Sequence, residues 1–149
     1  MKRLLIVTIM TLFSWVSVSA APDRVFERTY ISTDRDTYVA GERIWCSAFC
    51  FDAVTGRPSE FSRVAYLQLV SSNGFLTGSK IDLESGRGAG YIDIPLGTAT
   101  GNYKLVAFTA VNKNEQGFDF LSDAKVLSIF NTLSTDRVPG AVEIVSEYP

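Results

Sequence analysis

Histidine is absent from the 149 residues of this chain, and only two cysteines, Cys46 and Cys50, are present. The absence of histidine excludes the Ser-His-Asp and Cys-His nucleophile systems and every metal site that needs an imidazole ligand. Clustered positive charge is also missing, since 14 Lys and Arg face 16 Asp and Glu, and the longest basic run is Lys2 with Arg3. A nucleic-acid partner is therefore not expected, because such binding depends on massed cations against phosphate.

What is present is the composition of an ordinary globular domain. Apolar residues make up 46% of the chain and charged residues 20%. These proportions exclude a disordered chain, a collagen-like repeat and a disulfide-dense miniprotein.

Residues 1–20 have the three-part layout of a secretory signal peptide. Lys2 and Arg3 give a positive start, residues 4–18 are mostly apolar, and small residues close the segment up to Ala20. The apolar run of about 15 residues is shorter than the roughly 20 that a membrane span requires. We expect cleavage after Ala20 or Ala21, and no cysteine follows that would carry a lipid anchor. Removal of this segment leaves 12 basic and 16 acidic residues, a net charge of −4, so the mature protein is predicted to be one exported, acidic domain.

The sequence pattern of the rest of the chain predicts β-strands. Short apolar alternations recur between turn residues, which is typical of a sandwich or barrel. Asn73-Gly74 is the strongest hairpin signal, since both residues tolerate positive φ. The pattern predicts an all-β fold of seven antiparallel strands, at residues 25–32, 43–52, 63–71, 75–83, 87–94, 102–109 and 119–131. The domain is predicted to cover residues 21–131, and residues 132–149 to be a linker or the start of a following domain.

The second predicted strand is the most informative, because side chains alternate across a strand. One face is small and apolar and suits a sandwich core: Ile44, Cys46, Ala48 and Cys50. The opposite face carries Trp45, Ser47, Phe49 and Phe51, and it is aromatic where a half-exposed strand would be polar. Either these rings pack under loops of the same domain, or they form a surface patch for a neighbouring domain or partner. On the second alternative, Tyr66 of a neighbouring strand would extend the interface of Trp45, Phe49 and Phe51.

Cys46 and Cys50 are predicted to be buried free thiols. Four residues of strand separate their Cα atoms by about 13 Å, against a limit near 7 Å for a disulfide. The two-residue spacing and helix start of a redox pair are absent, and so is a second cysteine pair for zinc.

Two motifs resemble ligand sites, and each has a structural alternative that we favour. Residues 86–90, GRGAG, are followed by a strand rather than by the helix that a phosphate loop must open, so they are predicted to let a crowded strand bend. Asp34 and Asp36 lack the later ligands and the glycine of a calcium loop, so they are predicted to cap a loop. Among the 16 acidic residues no glycosidase pair can be recognised. No catalytic, cofactor-binding or metal-binding residue and no cofactor is predicted.

Residues 30–45, YISTDRDTYVAGERIW, resemble the opening of the second macroglobulin domain of the bacterial alpha-2-macroglobulin family. Residues 94–96 followed by 101–109 are similar to the family's penultimate strand, and Leu127, Ile129 and Asn131 fall where its last strand closes. The resemblance covers about residues 28–131. It implies a seven-stranded antiparallel β-sandwich of the macroglobulin or fibronectin type III-like kind.

The resemblance also bears on function. Full-length members trap proteases, often with a reactive Cys-Gly-Glu-Gln thioester, and that motif is absent here. We therefore expect a non-catalytic structural or interaction module of an exported bacterial envelope protein, in the periplasm or associated with the outer membrane or cell exterior. Its partners would be other domains or envelope proteins, with no transmembrane span after signal cleavage. The alternative is a carbohydrate-binding sandwich that uses Trp45, Phe49 and Tyr66 as exposed aromatics.

Overall fold

Buried and exposed side chains alternate along most of the strands of the computed structural model, which describes residues 25–113 and 122–139. In the strand Arg43–Asp52 every second side chain from Ile44 to Cys50 is buried, as the sequence predicts. Within these described residues there are eight strands and one short helix: β1 Glu27–Thr33, β2 Thr37–Val39, β3 Arg43–Asp52, β4 Val64–Ser71, β5 Gly74–Asp82, β6 Arg87–Asp93, β7 Gly101–Phe108, α1 Ala110–Lys113 and β8 Asp123–Phe130.

The strands form two sheets that pack face to face. One sheet has three strands in the order β1-β3-β6, and the other has five in the order β2-β8-β7-β4-β5. The apolar core lies between them and includes Ile44, Leu67, Ile92, Leu105 and Leu127. The all-β sandwich predicted from the sequence is therefore confirmed.

The predicted count of seven antiparallel strands is wrong by one strand, β2. It pairs in parallel with β8, placing Tyr38 beside Ile129 and Val39 beside Phe130. Because β2 has only three residues, it is too short to show an alternating pattern, and its partner lies far away in the sequence. The strand is fixed instead by Tyr38, which is fully buried in the core.

Close backbone approach explains the glycines of β6. Gly88 and Gly90 face inward against Ile81 of β5, and a Cβ on Gly88 would lie 2.1 Å from the carbonyl oxygen of Asp82. The β5–β6 turn holds Ser85 at φ 50° and Gly86 at φ 73°. The prediction that these glycines serve a crowded strand is confirmed, because Gly88 and Gly90 lie within β6 and no helix follows Gly86. The predicted Asn73-Gly74 hairpin is confirmed as well, and Gly74 has a φ of 105°.

A buried carboxylate fixes the long connection between β3 and β4. Glu27 is fully buried at the start of β1 and accepts hydrogen bonds from the hydroxyls of Ser59, Ser62 and Thr109. The backbone N–H of Ser62 also donates to it, over 3.0 Å. Glu27 thus ties this connection to the end of β7. The connection carries the chain from the three-stranded sheet to the five-stranded sheet.

The described residues that follow β8, residues 131–139, pack against the start of β7. Thr100 pairs in parallel with Arg137, and Val138 is buried where a Cβ on Gly101 would otherwise stand. The domain end predicted at residue 131 stays a prediction, although the buried Val138 lies beyond it. The predicted signal peptide, residues 114–121 and residues 140–149 lie outside the described residues. Within residues 25–113 and 122–139, no helix has the length and apolar character of a membrane span.

Candidate interaction surface

The candidate site is the outer face of the three-stranded sheet, formed by the side chains of β1, β3 and β6 that point away from the core. These side chains are Arg28, Tyr30, Ser32, Arg43, Trp45, Ser47, Phe49, Phe51, Arg87, Ala89, Tyr91 and Asp93. The register of the antiparallel strands arranges them in rows across the sheet. Large exposed rings on such a face are unusual for a solvated strand surface, which is why this face is the candidate.

The first aromatic pair, Trp45 and Tyr91, lies side by side on β3 and β6. Their ring centroids are 5.3 Å apart at an interplanar angle of 63°, an edge-to-face contact. Trp45 remains 53% exposed and Tyr91 42% exposed. The rings therefore pack against each other while about half of the surface of each stays exposed.

Arg43 and Asp93 hold this pair from the end of the sheet. The Arg43 guanidinium carbon lies 3.7 Å from the Tyr91 ring centroid and 5.5 Å from that of Trp45. Its Nε and Nη2 donate to the two carboxylate oxygens of Asp93 over 2.7 Å and 3.2 Å. The hydrogen bonds that Arg43 donates to the Asp93 carboxylate raise the pKa of Arg43 further above its ordinary value. One face of the Tyr91 ring is therefore covered by an arginine that is itself fixed.

A second aromatic cluster lies two rows along the strands. Tyr30 and Phe51 meet edge to face with centroids 5.7 Å apart, and Phe49 lies beside Tyr30 in the register. The Arg28 guanidinium stands 5.1 Å from the Tyr30 ring centroid. Arg87 occupies the same row, on the other side of Phe49.

A trough separates the two aromatic clusters. Its floor is the row of small side chains Ser32, Ser47 and Ala89, and its volume is about 590 Å³. Trp45 and Phe49 stand four residues apart on β3, which corresponds to about 13 Å between the two aromatic rows. The face therefore presents two groups of aromatic rings with a row of small side chains between them.

The structure brings together three of the four predicted interface residues. Trp45, Phe49 and Phe51 share the outer face as predicted, with Trp45 the most exposed of them. The placement of Tyr66 on a neighbouring strand is wrong, because β3 pairs with β1 and β6 while β4 lies in the other sheet. Tyr66 is stacked on Phe108 at 5.6 Å on the opposite side of the sandwich, so it does not extend the patch.

Sequence reasoning missed Tyr30, Tyr91 and the arginines of this face. Tyr91 alternates with Gly90 and Ile92, which marks it as outward, but its place beside Trp45 depends on the pairing of β6 with β3. That pairing joins strands distant in the sequence, and no short motif signals it.

The cysteines lie on the inner side of the same strand. Both are free and buried, in agreement with the prediction. Burial raises the pKa of the Cys46 thiol to about 11 and, together with the nearby Glu27 carboxylate, that of the Cys50 thiol to about 12. Both sulfurs are thus held as thiols, which are poor nucleophiles and poor metal ligands.

Asp34 acts as a loop cap, as the sequence predicts, whereas the side chain of Asp36 forms an ion pair instead. Asp34 accepts hydrogen bonds from the Tyr38 hydroxyl over 2.6 Å and from the Trp45 backbone N–H over 3.2 Å. The bond from Tyr38 holds the pKa of Asp34 below its ordinary value. Asp36 pairs with Lys125 at 2.6 Å. Among the residues that the structure describes, no group of His, Cys, Asp and Glu is arranged to hold a metal ion.

No protein-family model and no curated protein matches the sequence. The fold is nevertheless similar to solved bacterial structures at low sequence identity. A Salmonella alpha-2-macroglobulin aligns with a TM-score of 0.54 at 16% identity, over 77% of this chain and 7% of that chain. Trypsin-activated alpha-2-macroglobulin from Escherichia coli aligns with a TM-score of 0.53 at 18% identity, over 75% and 7%. Spo0M, a sporulation control protein from Bacillus subtilis, aligns with a TM-score of 0.50 at 12% identity, over 70% and 49%.

This chain therefore spans about 7% of the length of the alpha-2-macroglobulins that it resembles. In those proteins the matching region is one domain of a much larger chain. The agreement extends over about three quarters of this chain, and it confirms the fold that the motif in residues 30–45 implies. The chain folds as a macroglobulin-like β-sandwich domain.

Proposed function

We propose that this chain is a non-catalytic interaction module of an exported bacterial envelope protein. The outer face of the three-stranded sheet is the surface through which it docks against other domains or envelope proteins. The observation that carries the proposal is the exposed Trp45–Tyr91 pair, with the Tyr30–Phe51 pair two rows away.

Burial of this face would supply the free energy for docking. At about 25 cal/mol per Å², covering several hundred Å² of apolar surface contributes several kcal/mol before association costs. The side chains are also of the types that dominate protein interfaces, where tryptophan, tyrosine and arginine are enriched in the buried centre. Edge-to-face packing and the Arg43–Asp93 pair hold the rings in place, which lowers the entropy lost on docking.

The chemistry of the polar groups supports a non-catalytic role. The chain contains no histidine, and both thiols are buried with raised pKa values. Glu27 is enclosed by hydroxyl donors, and Asp34 caps a loop. These groups serve the structure of the domain. The Cys-Gly-Glu-Gln thioester motif is also absent, so we expect that the domain alone does not inhibit proteases.

The layout of residues 1–20 supports export. We place the mature protein in the periplasm or in association with the outer membrane or cell exterior. Mass spectrometry of the mature protein should find an amino terminus at Ala21 or Pro22, and an intact Met1 would contradict export by cleavage.

The carbohydrate alternative is less well supported. Its three aromatics do not form one platform, since Tyr66 lies on the opposite sheet and is stacked on Phe108. Arginines also cover one face each of Tyr30 and Tyr91, which reduces the ring surface on which a sugar could stack.

Photo-crosslinking in cells tests the proposal. A photoreactive amino acid in place of Ala89, on the floor of the trough, should capture a discrete protein, and Trp45→Ser should reduce that capture. The matched control places the same residue at Lys104, on the outer face of the five-stranded sheet, where Trp45→Ser should change nothing. Equal capture from position 89 with and without Trp45 would contradict docking on this face.

A further inference from the structure

The charge of the outer face differs in sign from that of the chain. The whole protein has a formal net charge of −2. The outward side chains of β1, β3 and β6 include Arg28, Arg43 and Arg87 against the acid Asp93. Two further acids adjoin the face, but Asp34 is paired with Arg35 and Asp52 accepts from the backbone N–H groups of the loop that follows β3. The face that carries the rings is therefore cationic on an acidic protein.

The three arginines differ in how they are engaged. Arg43 is held by both oxygens of Asp93, and Arg28 stands over the Tyr30 ring. Arg87 is exposed in the row of Phe49 and Tyr30, and no described acidic side chain forms an ion pair with its guanidinium. Arg87 is thus the group on this face best placed to receive an external carboxylate.

We propose that the partner on this face is an acidic protein surface, in which carboxylates stand among apolar side chains and pair with Arg87. This inference rests on the proposed function and specifies the chemistry of its partner. The apolar side chains lie against the two aromatic clusters, and a carboxylate forms a charge-assisted hydrogen bond with the planar guanidinium.

Charge argues against the two other candidate occupants of this face, a second copy of this chain and a neutral glycan. A second copy of this chain would bring two cationic faces together, and like charges across an interface are unfavourable. A neutral glycan would offer no carboxylate to Arg87, and an acidic glycan is one outcome of the test below. An acidic protein surface provides carboxylates for the arginines and apolar side chains for the exposed rings.

A random copolymer of glutamate and tyrosine is the probe for this chemistry, with a lysine–tyrosine copolymer and oligogalacturonate as comparisons. The glutamate copolymer should bind the protein at low salt and weaken as salt rises, and the lysine copolymer should not bind. Arg87→Glu should weaken binding of the glutamate copolymer at least about tenfold, because it replaces an attraction by a repulsion. Lys104→Glu makes the same charge change on the opposite outer face and should alter the Kd less than about twofold.

Three results would overturn the inference. The first is no binding of the glutamate copolymer at low salt. The second is an equal effect of Arg87→Glu and Lys104→Glu, which would place the binding elsewhere or make it nonspecific. The third is tighter binding of oligogalacturonate that is lost in both Arg87→Glu and Trp45→Ser, which would identify a glycan.

The crosslinking experiment separates this inference from the proposed function. If capture from position 89 is lost in Trp45→Ser but kept in Arg87→Glu, the face docks a protein without needing its carboxylates. Only the acidic partner is then wrong. If capture is unaffected by Trp45→Ser, docking on this face is wrong.

Discussion

The hydroxyl of Tyr38 donates a hydrogen bond of 2.6 Å to Oδ1 of Asp34, and the backbone N–H of Arg35 donates to the same hydroxyl over 3.1 Å. Tyr38 is fully buried while Asp34 lies in the loop above it. The pair joins β2 to the β1–β2 loop. This hydrogen bond gives a physical reason for the pattern of Thr33-Asp34 followed by Tyr38 in residues 30–45.

Tyr38→Phe should raise the pKa of Asp34 toward its ordinary value, because the bond from Tyr38 is the main cause of its lowering. A lowered pKa in the folded state stabilises the fold above the unfolded pKa, and this stabilisation is lost as pH falls through the folded value. The variant should therefore lose less stability on acidification than the wild type. A carbon-detected NMR titration of Asp34 measures the pKa. Tyr103→Phe is the control, since the Tyr103 hydroxyl donates to Ala99 instead, and an equal Asp34 shift there would contradict the assignment.

Glu27→Ala should lower the free energy of unfolding by about 3 kcal/mol or more, because several buried donors lose their shared acceptor together. Glu27→Gln keeps the shape and should lie between the wild type and Glu27→Ala. Urea unfolding measures the difference. Glu60→Ala removes an exposed carboxylate from the same connection and should be nearly neutral. Equal effects of the two alanine variants would show that the Glu27 cluster does not stabilise the fold.

Gly88→Ala should destabilise the domain by about 2 kcal/mol or more, because overpacking of a close contact forces the backbone to shift. The new Cβ would stand 2.1 Å from the Asp82 carbonyl oxygen and 2.6 Å from Ile81 Cγ2. Gly97→Ala is the matched control, since a Cβ there has nothing within 4 Å. Thermal unfolding of both variants checks the prediction, and a neutral Gly88→Ala would contradict the close approach of β5 and β6.

The buried thiols should make stability fall as pH rises above about 9. The unfolded thiols lose their protons near their ordinary pKa of 9.0, while the folded ones hold them to about 11 and about 12. In that window the folded state binds more protons, so the free energy of unfolding decreases with pH. Tyr38, with its pKa raised to about 12, adds to the decline above pH 10. Between pH 9 and 10 the double variant Cys46→Ala/Cys50→Ala should show a flatter profile, and an unchanged slope would contradict burial of the thiols.

The parts of the fold that were predictable depend on local alternation. The two faces of β3, the Asn73-Gly74 hairpin and the inward glycines of β6 follow from residue types over a few positions. The parts that were missed depend on pairings between distant segments. β2 is defined by β8, and the place of Tyr66 depends on the connection that Glu27 fixes.

The residues of the candidate site also differ in whether local alternation could predict them. Trp45, Phe49 and Phe51 were predictable because they alternate with small core residues on one strand. Tyr30, Tyr91 and the arginines join them only through the register of β1 and β6 with β3. The cationic character of the face therefore could not be predicted from the sequence without knowledge of the strand order.

Urea unfolding of Trp45→Ser beside Ile44→Ser tests the central claim most directly, because these adjacent residues point to opposite faces of β3. Trp45 is 53% exposed and Ile44 is fully buried. The account predicts that Trp45→Ser lowers the free energy of unfolding by less than about 1 kcal/mol, as an exposed side chain should. Ile44→Ser should lower it by about 3 kcal/mol or more through the cavity and the buried hydroxyl. A loss for Trp45→Ser as large as that for Ile44→Ser would make the tryptophan part of the core and contradict a free docking face.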